Sequence, residues 1–427
     1  MTGPLVLVCT VGGSHQPILT ALGELAPDHV VFICTGRDPG TGRAGSVQQI
    51  RGKGLVIRAS PDDAQPGLPN IPVQAGLTEE RFEELLVPVD DLDAAFVAID
   101  EKLASLQQRF PEARLVADYT GGTKTMTAAL VAAALEHPRV ELQVVTGNRA
   151  NLVRVLDGTQ YAAPASVDGI RMGRAIQAQV AAWQRFGYEE AAQGLARVPA
   201  PRAGELRVRL SRARDLSVAF AAWDRFDHRE ALRLFELYAP LVAEKLGLQL
   251  QALRILAGEH GPRRESLQVW DLWLNAERRA AAGRYDDAVA RVYRVIEWTA
   301  QWILRAQAGL DTADIPPDRI PPGVATAPGR PGKHQAGLFA AWQLVAAHTH
   351  GPAAQFFHTH REALRDLLDR RNGSILAHGF KPIDAKGWKA AESWLAERFI
   401  PMLRDEMALA HINAPFAQLP NRYTFDA

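Results

Sequence analysis

Residues 114–124 read Arg-Leu-Val-Ala-Asp-Tyr-Thr-Gly-Gly-Thr-Lys, and their pattern indicates how the first part of the chain folds. An apolar run ends at Asp118 and is followed by two glycines and a lysine, which open an apolar helix reaching Leu135. The stretch therefore predicts a buried strand, a tight turn and a helix.

The same alternation of strand and helix extends over the first 165 residues. Short apolar runs predict five buried strands, namely PLVLVCTV, HVVFICTG, GLVIRAS, RLVADYT and VELQVVTG. Connections of helix length separate them, which is typical of a doubly wound α/β domain with a parallel sheet. In such sheets ligands bind beyond the carboxyl ends of the strands.

Two glycine-rich loops follow predicted strands and are the candidate ligand-binding loops. Glycines let a ligand approach the backbone closely, free amides at a helix N-terminus attract anions, and a lysine adds positive charge. We expect a phosphate-bearing ligand, although a tight turn that needs glycine for its geometry explains either loop alone. The candidate residues are Gly12, Gly13, Ser14, Thr120, Gly121, Gly122, Thr123 and Lys124. A P-loop is excluded, because a threonine and not a glycine precedes the lysine.

After about residue 168 the sequence predicts amphipathic helices almost throughout. Three segments, 182–191, 222–231 and 281–288, resemble each other as helix end, short turn and helix start, although their spacing is unequal. They predict helical hairpins. The Pro/Gly-rich stretch 315–332 cannot be a helix and predicts a surface loop.

Composition sets further limits on the function. The chain has 427 residues with 48 basic and 48 acidic side chains, so net charge gives no reason to expect a nucleic-acid partner. Residues 1–165 carry 13 basic and 19 acidic side chains, a net charge of −6, and the remainder of this neutral chain therefore carries +6. Nine of those acids lie between residues 79 and 101 and predict a solvated helix face.

The length indicates two or three domains. Two cysteines exclude a disulfide framework and a cysteine-based zinc site. Residues 1–23 carry no acidic or basic side chain, but the loop at 12–17 interrupts this run and it has no basic n-region. The other long uncharged stretch, 125–135, is far shorter than the roughly 20 residues that span a bilayer, so we expect a cytoplasmic protein without a membrane partner.

A second candidate site lies in residues 369–379, Asp-Arg-Arg-Asn-Gly-Ser-Ile-Leu-Ala-His-Gly. Arg371 and His378 are seven residues apart, which places them within about 20° of each other on one helix face. An imidazole and a fixed cation facing one space suit metal-free RNA cleavage, with Asn372 and Ser374 as hydrogen-bonding companions. The alternative is that the two residues have only structural roles, as a surface arginine and a histidine at the edge of the core.

An arginine followed by a histidine is a permissive pattern, and it occurs twice more. Arg254 and His260 are six residues apart, which separates them by about 120° around a helix. Arg404 and His411 share a face, but their neighbours are apolar, and a histidine at a helix end explains that pair better.

Taken together, Val-Gly-Gly-Ser after the first strand, Asp-Tyr-Thr-Gly-Gly-Thr-Lys-Thr-Met after a later one and Arg-Asn-Gly-Ser-Ile-Leu-Ala-His-Gly near the C-terminus resemble the CARF–HEPN ribonucleases of type III CRISPR antiviral systems. The helix around residues 283–298 also resembles the first long helix of this HEPN subgroup. The resemblance implies a Rossmann-like CARF domain over 1–167, an all-α helical linker over 168–265 and an α-helical HEPN domain over 266–427.

In this family a cyclic oligoadenylate second messenger binds the CARF domain and activates the distant nuclease. The resemblance implies a homodimer, in which the two HEPN domains form one composite active site on single-stranded RNA. It makes Arg371 and His378 catalytic, with Asn372 and Ser374 beside them, and it assigns the eight loop residues to the messenger pocket. It implies no metal cofactor and products with a 2′,3′-cyclic phosphate and a 5′-hydroxyl.

Two alternatives stay open. The helical half of a CARF-type sensor can bind partners or nucleic acid without cleaving RNA, although no helix-turn-helix with a basic recognition helix is evident. Some CARF domains also cleave their own messenger, and Thr120 or Thr123 could orient a ribose hydroxyl for that reaction. A nicotinamide dehydrogenase is disfavoured, because Gly-x-Gly-x-x-Gly is absent after the first strand.

Overall fold

The computed structural model describes the chain in segments that fall into two compact units, Met1–Arg171 and Met172–Ala427. The described residues are 3–37, 40, 42–57, 67–147, 149–150, 154–155, 159–372, 382–413 and 415–426.

Among its described residues, the first unit contains eight strands and five complete α-helices. The strands are β1 Leu5–Thr10, β2 His29–Thr35, β3 Phe82–Val87, β4 Arg114–Asp118, β5 Val140–Thr146, β6 Arg149–Ala150, β7 Arg154–Val155 and β8 Tyr161–Ala165. The helices are α1 Gln16–Leu25, α2 Gln48–Arg51, α3 Ile71–Gln74, α4 Leu92–Arg109 and α5 Lys124–Glu136.

Six of these strands form one sheet in the order β3-β2-β1-β4-β5-β8. Five run parallel, and β8 is antiparallel to β5. Alternate residues of β1 face opposite sides, so that Val6 and Val8 pack with α4 and α5 while Leu7 and Cys9 pack with α1 and α3. Both faces are therefore covered, and the predicted doubly wound α/β fold is confirmed.

The third strand is not the predicted one. GLVIRAS supplies a single bridge, between Ile57 and Leu68, and its last three residues lie outside the described part of the chain. The strand instead comes from the acidic stretch, where helix was expected throughout and only α4 is a long helix. Of the described strands, β3 pairs with β2 alone. As an edge strand it places Glu83 within 2.8 Å of Lys102 and Glu84 within 2.9 Å of Arg51.

The second unit is almost entirely helical, as predicted. Its helices are α6 Asp168–Val180, which begins in the first unit, α7 Tyr188–Ala196, α8 Gly204–Asp224, α9 His228–Glu236, α10 Ala239–Ala257, α11 Pro262–Ala281, α12 Tyr285–Ile303, α13 Leu338–His348, α14 Pro352–Asn372, α15 Ala385–Trp394 and α16 Ile400–Leu409. The two-residue strands β9 Ala327–Pro328 and β10 His334–Gln335 form a small ladder beside the Pro/Gly-rich stretch. Residues 315–332 contain no α-helix, as expected.

Each unit has its own apolar core. Among the described residues, the clusters of the first unit include nothing beyond Val167, and the cluster of the second begins at Met172. Indoles fill much of the second core, since Trp183, Trp223 and Trp342 are almost fully buried. The predicted division of the helical part at residue 265 stays a prediction.

No helix among the described residues is long and apolar enough to cross a membrane.

Candidate functional site

The two glycine-rich loops meet at the carboxyl edge of the sheet. β1 and β4 are neighbours in the sheet, while the chain leaves β1 toward β2 on one side and reaches β4 on the other. This is the point at which the strand order reverses, and it opens a crevice between the loops that follow the two strands. The predicted ligand-binding residues are therefore brought together, as the strand order requires.

The glycines of these loops are needed for close approach. A β-carbon on Gly12 would stand 2.5 Å from the backbone nitrogen of Gly122, and one on Gly121 would stand 2.5 Å from the carbonyl oxygen of Thr10. Gly122 also has a φ of +89°, where other residues are strained. These glycines thus have a packing role. They let the backbones of the two loops pack against each other at the base of the crevice.

The threonines hold the second loop in place. The Thr120 hydroxyl accepts a 2.6 Å hydrogen bond from the amide of Val145, and the Thr120 amide donates 2.9 Å to buried Asp118. The Thr123 hydroxyl caps α5 by accepting from the amide of Met126 at 3.2 Å. Both side chains are thus engaged within the domain, and their first role is to fix the loop.

Three of the predicted residues are exposed at this edge. Gly13 and Ser14 in the first loop and Lys124 at the start of α5 are open to solvent. The N-terminus of this 13-residue helix carries a partial positive charge, to which Lys124 adds a full one. Together they favour an anionic ligand in the crevice.

Gln49 is a crevice residue that the sequence reasoning missed. Its side-chain amide donates a hydrogen bond to the carbonyl of Gly12, while its own carbonyl oxygen is buried without a hydrogen-bond partner among the described residues. That oxygen can accept a hydrogen bond from a ligand. No local signal marks Gln49, because it comes from α2, which is remote in sequence from both loops.

His15 and Gln16 stand where the first loop enters α1. His15 is 5% exposed, and the Gln16 amide nitrogen lies 3.2 Å from its ring. The His15 imidazole is therefore packed within the domain and is not part of its exposed surface.

The second candidate site lies at the C-terminal end of α14. Arg371 and Asn372 are the last two residues of that helix, and their side chains are not among those described. Ser374 and His378 lie outside the described residues. The shared helix face of Arg371 and His378 accordingly stays a prediction.

Two arginines in the described part of α14 lie over an aromatic ring before that site. The guanidinium of Arg365 lies 4.7 Å from the ring centroid of Phe339, and that of Arg361 lies 5.7 Å from it. Both arginines are exposed, about two and three turns before the end of the helix. Glu362 and Asp366 are exposed beside them, so this surface carries both signs of charge.

The other two Arg–His pairs have structural roles. Arg254 donates to Glu236 at 2.9 Å, and α10 ends before His260, so that pair shares no helix face. Arg404 stacks over Trp270 at 5.2 Å, and His411 follows the end of α16 with a φ of 62°. The separation of Arg254 from His260 agrees with the prediction, and His411 lies just beyond a helix end, so it shares no helix face with Arg404 either.

Among the described residues, no group of three or more His, Cys, Asp or Glu side chains is arranged to hold a metal ion.

Comparison with known families decides the nature of the helical unit. Residues 259–399 match the family described as the Csm6 HEPN domain. The helical unit contains a Csm6 HEPN domain. The match covers α11 to α15 and includes the positions of Arg371 and His378, so the resemblance to CARF–HEPN proteins is confirmed for this part of the chain.

The whole fold is also similar to that of a Csm6. The solved structure of Enterococcus italicus Csm6 bound to cyclic hexa-2′-fluoro-hexa-dAMP has 14% sequence identity, covers 96% of this chain and 95% of its own, and gives a TM-score of 0.52. Can2 from Sulfobacillus thermosulfidooxidans in complex with cyclic tetra-adenylate has 14% identity, covers 56% of this chain and 67% of its own, and gives a TM-score of 0.22. No curated protein matches the sequence. The likeness to the Enterococcus italicus Csm6 thus shows a shared fold over nearly the whole of both chains.

Proposed function

We propose that this chain is a cyclic oligoadenylate-activated endoribonuclease that cleaves single-stranded RNA in type III CRISPR antiviral defence. The observation that carries the proposal is the Csm6 HEPN domain, whose matched residues include Arg371 and His378 with Asn372 and Ser374 between them. With a HEPN domain of this kind, we assign the nuclease activity to the helical unit and messenger sensing to the α/β unit.

The crevice between the β1 and β4 loops supports the sensor role. A cyclic oligoadenylate is a ring of phosphodiesters and bases, so it requires anion-binding groups and close access to backbone. Exposed Lys124, the N-terminus of α5 and the glycine loops supply these, and the unpartnered oxygen of Gln49 accepts from a donor. The Enterococcus italicus Csm6 of similar fold carries a cyclic hexanucleotide.

In the cleavage step, the 2′-oxygen of a ribose attacks the adjacent phosphorus, and the bond from phosphorus to the 5′-oxygen of the next nucleotide breaks. His378 moves the proton, either from the 2′-hydroxyl or to the departing 5′-oxygen. Arg371 stabilises the charge that develops on the phosphorane, while Asn372 and Ser374 hydrogen-bond to the phosphate or orient the imidazole. The products are a 2′,3′-cyclic phosphate and a 5′-hydroxyl, and the step needs no metal.

The proposed assembly is a cytoplasmic homodimer. Two copies of the first domain, residues 1–167, form one messenger pocket across the two-fold axis, and residues 168–265 link it to the nuclease domain, residues 266–427. Two Arg371 and His378 pairs then make one composite active site.

We do not extend the activity to cleavage of the messenger itself. Thr120 and Thr123 were the candidates for that reaction, and both hydroxyls already accept backbone hydrogen bonds within the domain. Ring cleavage stays a separate hypothesis, which the fate of the messenger in the assay below tests.

The test is RNA cleavage with and without cyclic tetra-adenylate and cyclic hexa-adenylate. We expect cleavage of a labelled single-stranded RNA only with a messenger present, in a buffer containing a chelator, with a 2′,3′-cyclic phosphate at the new end. Messenger binding without cleavage would replace the proposal by the alternative, a sensor that regulates without a nuclease. Cleavage of the messenger would separately show a ring nuclease.

A further inference from the structure

The three similar segments of the helical half form the same turn. Phe186, Phe226 and Gly283 occupy equivalent positions and have φ values of 58°, 63° and 75°. In each turn this residue donates to a carbonyl three positions back, at 2.8, 2.8 and 2.9 Å, and the next residue donates to a carbonyl five positions back, at 2.9 Å in all three. This is the hydrogen-bond pattern of a Schellman motif, and its repetition shows that the sequence similarity is structural.

All three turns contribute residues to one cavity of about 760 Å³ within the second unit. Five arginines line this cavity, which we call the arginine cleft: Arg185, Arg225, Arg278, Arg279 and Arg284. Three carboxylates line it as well, those of Glu189, Glu190 and Asp224. The cleft lining therefore has more fixed positive charge than negative charge.

Four of the five arginines are paired, and the fifth leaves positive charge unbalanced. Arg185 pairs with Glu190, Arg225 with Glu189 and Arg279 with Asp224, while Arg278 pairs with both Asp224 and buried Asp271. The Arg284 side chain is exposed and makes no hydrogen bond or ion pair with any described residue.

Arg279 stands out in this group. Its Nε is buried and has no hydrogen-bond partner among the described residues. Burial, followed by the positive charges of Arg291 and Arg284, lowers its pKa. An anion beside Arg279 and Arg284 would offset the repulsion between these guanidinium groups and accept hydrogen bonds from their unpaired N–H groups.

We propose that the arginine cleft binds single-stranded RNA, with phosphodiester oxygens on Arg279 and Arg284 and a base against the half-buried ring of Phe186. Guanidinium groups beside an aromatic ring are the elements that hold single-stranded nucleic acid, and the cavity is much larger than a free phosphate needs. The choice of RNA over another polyanion rests on the proposed function. The cleft lies on residues outside the predicted catalytic segment, so it is a holding site and not a cleavage site.

The test measures binding of a fluorescent 2′-O-methyl oligoribonucleotide, which lacks the attacking hydroxyl and is not cut. We expect Arg284→Glu to weaken binding about tenfold and to lower the slope of log affinity against log salt by about one, between about 50 and about 200 mM salt. Arg284→Gln should weaken it by a smaller factor. Arg229→Glu is the matched control, because Arg229 is equally exposed on α9 and does not line the cleft, and it should bind as the wild type does.

Glu189→Gln provides a change of opposite sign. Removing this carboxylate leaves Arg225 unpaired and takes negative charge out of the cleft. RNA should therefore bind severalfold more tightly, and misfolding would not produce that result.

Wild-type affinity and salt slope in Arg284→Glu, or equal losses in Arg229→Glu, would overturn the proposal. If RNA binding depends on Arg284 but the wild type cuts no RNA with any messenger, the proposed function fails and the cleft stands. If the wild type cuts RNA while Arg284→Glu binds normally, only the cleft assignment fails.

Discussion

The hydroxyl of Thr10 donates a 2.6 Å hydrogen bond to the carbonyl oxygen of Gly121, which joins the end of β1 to the loop that follows β4. The Thr127 hydroxyl donates to the same oxygen at 2.9 Å. Thr10 is fully buried, so this bond is made away from solvent. The floor of the crevice is therefore a fixed surface, and a ligand finds the two loops already aligned.

Gly12→Ala should destabilise the first unit. Its new β-carbon would meet the backbone of Gly122, which cannot move aside as a flexible side chain can. We expect a loss of about 1–3 kcal/mol in the free energy of unfolding, measured by urea denaturation. Gly13→Ala is the matched control, since nothing lies within 4 Å of its added carbon, and it should change stability by less than about 0.5 kcal/mol. Equal effects of the two substitutions would contradict the packing role of Gly12.

Lys124→Gln should weaken messenger binding without unfolding the domain. Lys124 is exposed at the start of α5, where its charge adds to the partial charge of the helix N-terminus. We expect an affinity about tenfold lower for cyclic oligoadenylate by calorimetry. Arg109→Gln removes a charge at the other end of the helical layer, at the end of α4, and should leave affinity unchanged. Unaltered binding in Lys124→Gln would remove this lysine from the site.

His378→Ala should abolish messenger-activated RNA cleavage and keep messenger binding. General acid–base catalysis contributes about 10²–10⁴ in rate, so the cleavage rate should fall by at least about a hundredfold. His260→Ala is the matched control, because His260 is exposed and belongs to an Arg–His pair that shares no helix face. A full rate in His378→Ala would show that the assigned role is wrong.

Glu277 should make the stability of the second unit depend on pH. Burial, and then the negative charge of Glu392, raise the pKa of Glu277 to about 7. The folded chain thus favours the protonated carboxyl, so this contribution to stability is present below the ordinary carboxyl pKa and is lost as the pH rises through about 7.

Glu277→Gln keeps the neutral form at every pH. Relative to the wild type, it should gain about 2 kcal/mol in the free energy of unfolding between about pH 5 and about pH 8. Urea denaturation at the two pH values measures this difference. Glu397→Gln, at an exposed position of the same unit, should show no such gain, and an equal gain in both variants would rule out Glu277 as the source.

The parts of this fold that sequence predicted are those fixed by local chemistry. Fully buried strands such as β1 and β2 are unbroken apolar runs, and the glycine loops follow them directly. The sequence did not predict β3, because an edge strand can carry acidic residues such as Glu83 and Glu84, which pair with basic side chains of α4 and α2. The same limit applies to Gln49, whose place in the crevice follows from tertiary packing and not from its neighbours in sequence.

The helical half shows a similar division. Its amphipathic periodicity predicted helices, and the similarity of three short segments predicted three hairpins. That the three turns line a single cavity did not follow, because unequal spacing in sequence gives no hint of how the hairpins stack.

The two separate apolar cores also bear on how such a chain evolves. A substitution that reshapes the β1–β4 crevice alters the packing of the first core and leaves the buried contacts of the second intact, so their effects on stability add rather than compound. A crevice reshaped for a different ligand should therefore leave the stability of the helical unit unchanged.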